Sequence, residues 1–143
     1  MTQVRSGRLG WARSAVFAAA VVIAVHGLIH LMGVALLWKL GEPGQLRYAN
    51  AVPAPGSAAA YLVGGLWLLA AVLFVTAAVL LAAGRAAWRM TALAAVVVSA
   101  PVIGLMPGQA VAGLVIDGLV LVLAAVSWLR RSGGYFMPFQ GGR

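Results

Sequence analysis

The chain has 143 residues, 64% of them hydrophobic and 8% charged, with ten Lys and Arg against two acids, a net charge of +8 and no cysteine. Soluble domains carry about a quarter charged residues, so the composition excludes an ordinary soluble fold and points to an integral membrane protein. The lack of cysteine excludes disulfides, thiolate catalysis and Cys-ligated metals. The arginines stand singly or in pairs beside apolar runs, a topology signal rather than a nucleic-acid footprint.

The first apolar run covers residues 14–38, follows Arg5, Arg8, Trp11 and Arg13, and contains "VIAVHGLIHLMG" at 22–33. A spanning helix needs about 20 apolar residues, which this run satisfies. A secretory signal has the same basic-then-apolar order, but its apolar core is about 7–15 residues and a small-residue cleavage site follows it. This run is longer and lacks that site, so it is expected to stay attached as the first helix. Residues 41–57, "GEPGQLRYANAVPAPGS", are too rich in Pro and Gly to continue a helix. They form either a solvated connector or a short cap with Leu46 and Tyr48 at the interface.

A second span is predicted over 58–83, a third over 90–107 and a fourth over 110–129, the last two divided by "MPGQ", where Pro107 and Gly108 permit a reversal. One helix across both would have about 40 residues and overshoot any bilayer. The tail, 130–143, carries Tyr135, Phe136, Met137 and Phe139 among glycines and is expected to rest at an interface.

With four spans, Arg5, Arg8, Arg13, Arg85, Arg89, Arg130, Arg131 and Arg143 fall on one side, and Lys39 and Arg47 on the other. The positive-inside rule then puts both termini in the cytoplasm. Trp11, Trp88 and Trp128 beside the arginines, with Trp38 at the outer end, agree with an aromatic belt. The expectation is an all-α, four-transmembrane-helix bundle forming a single domain. Nine arginines against one lysine, among many Ala, Gly and Val, fit a GC-rich bacterial genome, so the expected location is a bacterial cytoplasmic (inner) membrane.

A rise of about 1.5 Å per residue converts position into depth. Measured from the outer boundary, His30 lies at about 12 Å, Trp67 at about 13 Å, Ser99 at about 12 Å and Asp117 at about 10 Å, while His26 lies deeper at about 18 Å. Each helix thus brings a polar-capable side chain to one layer of the outer half. An aspartate near a helix centre costs about 2.5–3.5 kcal/mol on insertion scales unless it is partnered, so Asp117 should face inward. Its expected partner is an imidazole, His30 first by depth and His26 second. The alternative is a protonated Asp117 bonding only locally.

His26 and His30 stand four apart and share a helix face with Gly33 and Leu37, with Gly27 beside it, where small residues admit a close neighbour. Pro101 frees the carbonyl of Val97 and can kink the third helix beside this layer. A zinc site would have only His26, His30 and Asp117 to draw on, and bis-histidine haem would need a second chain. A purely structural polar layer is the remaining alternative.

The segments "HGLIHLMG", "LWLLAAVLF" and "GRAAW" resemble small bacterial four-helix membrane proteins and, distantly, the DoxX-like family. That resemblance rests on His26–Gly27 and the four-helix layout over about 110 residues. It implies an association with membrane redox and quinone-linked systems and transfers no catalytic residue.

The combined expectation is a ligand site for a small lipophilic, quinone- or lipid-like molecule at His26, His30, Trp67, Ser99 and Asp117. The other readings are an accessory subunit of a larger membrane complex, and a haem- or metal-dependent redox protein. Besides the bilayer, the expected partners are that molecule and a homodimer mate or larger complex, with no nucleic acid.

Overall fold

The computed structural model describes residues 3–41, 52–105 and 111–132, and within these the chain is helical. Four helices follow in order: α1 (Gln3–Leu37), α2 (Ala58–Ala82), α3 (Trp88–Gly104) and α4 (Val111–Ser132). Three are long and apolar enough to cross a membrane, over Arg13–Leu37, Ala58–Ala82 and Ala112–Arg130. These agree with the first, second and fourth expected spans. The third is shorter than expected: α3 has 17 residues, a length of about 25 Å.

Local chemistry sets several ends. Ser57 caps α2, its side chain accepting from the Ala60 amide at 3.1 Å. Gly84, at φ 66°, ends the same helix. There the Arg85 amide bonds the Leu80 carbonyl at 2.8 Å and the Gly84 amide bonds that of Leu81 at 3.0 Å, the two bonds of a Schellman motif. This tight exit turns the chain directly into α3, which begins two residues before the expected position. At the other end of α2, the Gly56 amide donates to the Leu37 carbonyl at 2.9 Å and ties the end of the connector to the end of α1. The expected cap residues Leu46 and Tyr48, the turn at Pro107 and Gly108, and the aromatic tail lie outside the described residues.

Each helix packs on the next, α1 most extensively on α2 and then α2 on α3; the approach of α1 to α4 is the slightest. The interior has two apolar clusters. One is built largely of alanines with Ile23, Phe74, Leu81, Trp88 and Val120, and small residues there let the backbones approach. The other joins Val34, Leu37, Ala60, Trp67, Val102 and Ile103. Outward positions are the reverse of a soluble protein: Phe17, Leu62, Val79, Val97, Val122 and Leu129 are all exposed. A soluble monomer rarely shows apolar patches beyond a few hundred Å², whereas a membrane protein presents such faces to lipid.

Candidate functional site

The buried polar side chains among the described residues are His26, His30, Ser99 and Asp117. Their positions along the helices place them between the two apolar clusters. On α1, Ala20 and Ile23 belong to one cluster, Val34 and Leu37 to the other, and the histidines lie between. On α3 the same order gives Val96, then Ser99, then Val102. The sequence-predicted layer is therefore a physical layer, with Trp67 against it.

Glycines set the helix spacing. A Cβ on Gly27 would lie 2.8 Å from the Phe74 Cβ and 3.1 Å from the Ala71 carbonyl oxygen. Gly33 leaves room for the Trp67 ring, and Gly64 does the same for Trp38. Trp38 also donates its indole N–H to the Tyr61 carbonyl at 3.2 Å, fastening the end of α1 to α2. On α4, Gly113 stands one turn before Asp117, where a Cβ would sit 3.0 Å from Ile103 Cδ1 and 3.9 Å from His26 Cε1. The absence of a side chain at these points brings the polar groups within bonding distance.

Asp117 bonds His26 rather than His30: His26 Nε2 lies 2.8 Å from Asp117 Oδ1. This corrects the pairing expected from depth. Both nitrogens of His30 are occupied elsewhere, Nδ1 donating to the His26 carbonyl at 2.9 Å and Nε2 lying 2.8 Å from Ser99 Oγ. Counting residues from helix ends carries an error of two to four residues, about one helical turn. That is the separation of His26 from His30. The pairing thus falls on the second choice, while His30, Trp67 and Ser99 do meet.

The proton positions follow from chemistry. A carbonyl only accepts, so His30 Nδ1 carries the hydrogen, and in the neutral ring Nε2 then accepts from the Ser99 hydroxyl. Serines inside helices often bond their own helix backbone; Ser99 instead bridges α3 to α1. His26 Nε2–H donates to the carboxylate. The resulting chain of bonds runs from α4 through α1 to α3 and ties the slightest helix contact, α1 to α4, with the buried His26–Asp117 hydrogen bond.

Aromatic rings wall the layer. The two imidazoles meet edge to face with centroids 4.8 Å apart, Trp67 tilts over His30 at 5.1 Å, and Phe74 contacts His26 at 4.8 Å and His30 at 5.2 Å. Sequence reasoning missed Phe74. The available signal was its position seven residues after Trp67, two turns along the same face of α2.

Two polar atoms in this layer are buried and have no hydrogen-bond partner among the described residues: Trp67 Nε1, a donor, and Asp117 Oδ2, an acceptor. Native proteins leave few such atoms, and each one calls for an explanation. Among the described residues no group of three or more His, Asp or Glu side chains is placed to hold a metal ion. His26 Nε2 and Asp117 Oδ1 bond one another, and both nitrogens of His30 are taken by the His26 carbonyl and Ser99 Oγ. No family model, curated protein or solved structure matches this chain.

Proposed function

We propose that this chain is a four-span protein of a bacterial cytoplasmic membrane, with both termini in the cytoplasm, that binds the polar group of a small lipophilic molecule in its outer half. The supporting observation is the pair of buried, unpartnered atoms, Trp67 Nε1 and Asp117 Oδ2. An apolar molecule bearing a carbonyl or ether oxygen would accept from the indole, and one bearing a hydroxyl would donate to the carboxylate. His26 and Ser99 fix Asp117 and His30 in place, and Phe74 with Trp67 supplies flat surface for a ring. The DoxX-like resemblance makes a quinone-like molecule the first class to test.

The decisive experiment is mass spectrometry and absorption spectroscopy of lipophilic material that stays with the purified protein, followed by rebinding of a short-chain quinone. Trp67→Phe keeps the ring and removes the donor. It is expected to weaken rebinding roughly three- to tenfold, the worth of one neutral hydrogen bond, with some loss of thermal stability from the smaller ring in a packed core. Unchanged rebinding in Trp67→Phe would refute the site.

The topology has its own test, helped by the absence of native cysteine. Ala54→Cys, at an exposed position in the connector, should react with a membrane-impermeant maleimide added to whole spheroplasts. A fluorescent protein fused after residue 143 should mature in the cytoplasm. Labelling only after lysis, or a dark fusion, would reverse the orientation.

An accessory subunit of a larger membrane complex is the second reading, favoured by α4. Its flanks expose Leu114, Val115, Leu119, Val122 and Leu129, and it contacts α1 only slightly. Stoichiometric co-purification with one large complex would support it.

A further inference from the structure

The cationic end of the bundle presents a separate question of charge. The described residues include one carboxylate, Asp117, and it is bound to His26. Arg13, Arg85, Arg89 and Arg130 therefore have no carboxylate partner among the described residues. Ser127 lies ten residues beyond Asp117 on α4, about 15 Å along the axis, so Asp117 is out of reach of this end.

One of these arginines is held in place. Arg89, half-buried at the start of α3, donates Nε–H to Ser127 Oγ at 2.8 Å, and the Ser127 hydroxyl donates in turn to the Ala124 carbonyl at 2.8 Å. The serine's proton is thereby committed and its oxygen faces the guanidinium. Arg130, three residues after Ser127, lies on the same face of α4. Helix stabilisation does not account for Arg89, because it stands in the first turn of α3, at the positive end of that helix dipole, where a cation is unfavourable. The placement fits an anion supplied from outside the protein.

We propose that Arg89, oriented by Ser127 at the α3–α4 seam and flanked by Arg130, binds the phosphodiester of an anionic phospholipid in the leaflet at that end of the bundle. The planar donor fork beyond Nε matches phosphate oxygens, and basic seams between membrane helices suit acidic headgroups. A zwitterionic lipid brings its own ammonium into the same site and gains less. The exposed leucines and valines of α4 accommodate the acyl chains. The proposal depends on the chain lying in a membrane and is independent of the ligand at Trp67 and Asp117.

The test is native mass spectrometry of the full chain from micelles containing equal amounts of phosphatidylglycerol and phosphatidylcholine. The wild-type protein should retain phosphatidylglycerol in preference. Arg89→Gln should cut that retention roughly fivefold, the effect of one basic residue near a membrane surface, while Arg13→Gln, on α1, should leave it unchanged. Equal retention of the two lipids by the wild-type protein overturns the proposal, as does an Arg13→Gln loss equal to that of Arg89→Gln. Displacement by the same excess of inorganic phosphate would mark a small-anion site and also overturns it. Arg89→Lys keeps the charge without the fork and decides the matter if Arg89→Gln does not fold: an undiminished preference there indicates diffuse attraction and no site.

Discussion

Gly27→Leu is expected to lower the unfolding free energy of the bundle by about 3 kcal/mol, the upper range for forcing volume into a close-packed interior. A Cβ at this position would meet the Phe74 Cβ at 2.8 Å and the Ala71 carbonyl oxygen at 3.1 Å. Neither atom can rotate aside, since one is the root of its side chain and the other is backbone. The strain is relieved only by separating α1 from α2, the most extensive interface in the molecule. Separation draws Phe74 away from both imidazoles, so the damage reaches the polar layer. Gly65→Leu is the control: a Cβ there meets nothing within 4 Å, and little change is expected. Unfolding in a titration of SDS into mild detergent measures both variants. Gly27→Leu unfolding at the same SDS fraction as Gly65→Leu would mean that the interface is soft. Gly33→Ala tests a different compliance, because its obstacle is the ring of Trp67, which can move as a unit.

The sequence carried the architecture because the solvent imposes it. A helix in lipid needs a continuous apolar run and internal backbone bonds, so the three long spans follow from hydropathy. The polar layer was equally legible: a buried carboxylate in an apolar helix is costly enough that Asp117, His26, His30 and Ser99 had to face inward. Which imidazole meets Asp117 was not legible. Residue counting gives depth along an axis to about one turn, and one turn is the spacing of the two histidines. The choice depends on Gly113, which lets α4 approach beside His26, and on the His26 carbonyl, which occupies His30 Nδ1. Both are three-dimensional facts. Phe74 escaped notice because a phenylalanine in an apolar run carries no polar mark, although its spacing from Trp67 placed it on the inward face. The Schellman turn at Gly84 starts α3 two residues before the expected position, and the helix is nonetheless short because it stops at Gly104 rather than at 107.

The His26–Asp117 pair separates a site from a structural fastener. His26→Leu leaves the carboxylate buried without its described partner and is expected to cost about 3–5 kcal/mol, as when one member of a buried pair is removed. Asp117→Leu leaves a neutral imidazole with one unmet donor, expected to cost about 1–3 kcal/mol. The double variant His26→Leu/Asp117→Leu removes both polar groups, and replacing a buried pair with apolar side chains is often neutral or stabilising. Its stability should return to within about 1 kcal/mol of the wild-type protein, giving a large coupling energy across the α1–α4 contact. If the pair served only to join the helices, nothing else would distinguish the double variant from the parent. A ligand site makes a further demand: the double variant, although stable, should lose the rebinding of a short-chain quinone, because Asp117 Oδ2 has gone with the rest of the carboxylate. Stable protein with full rebinding would leave His26 and Asp117 as a fastener alone. Stable protein without rebinding would show that the carboxylate is retained for the molecule it meets, since the fold has no need of it.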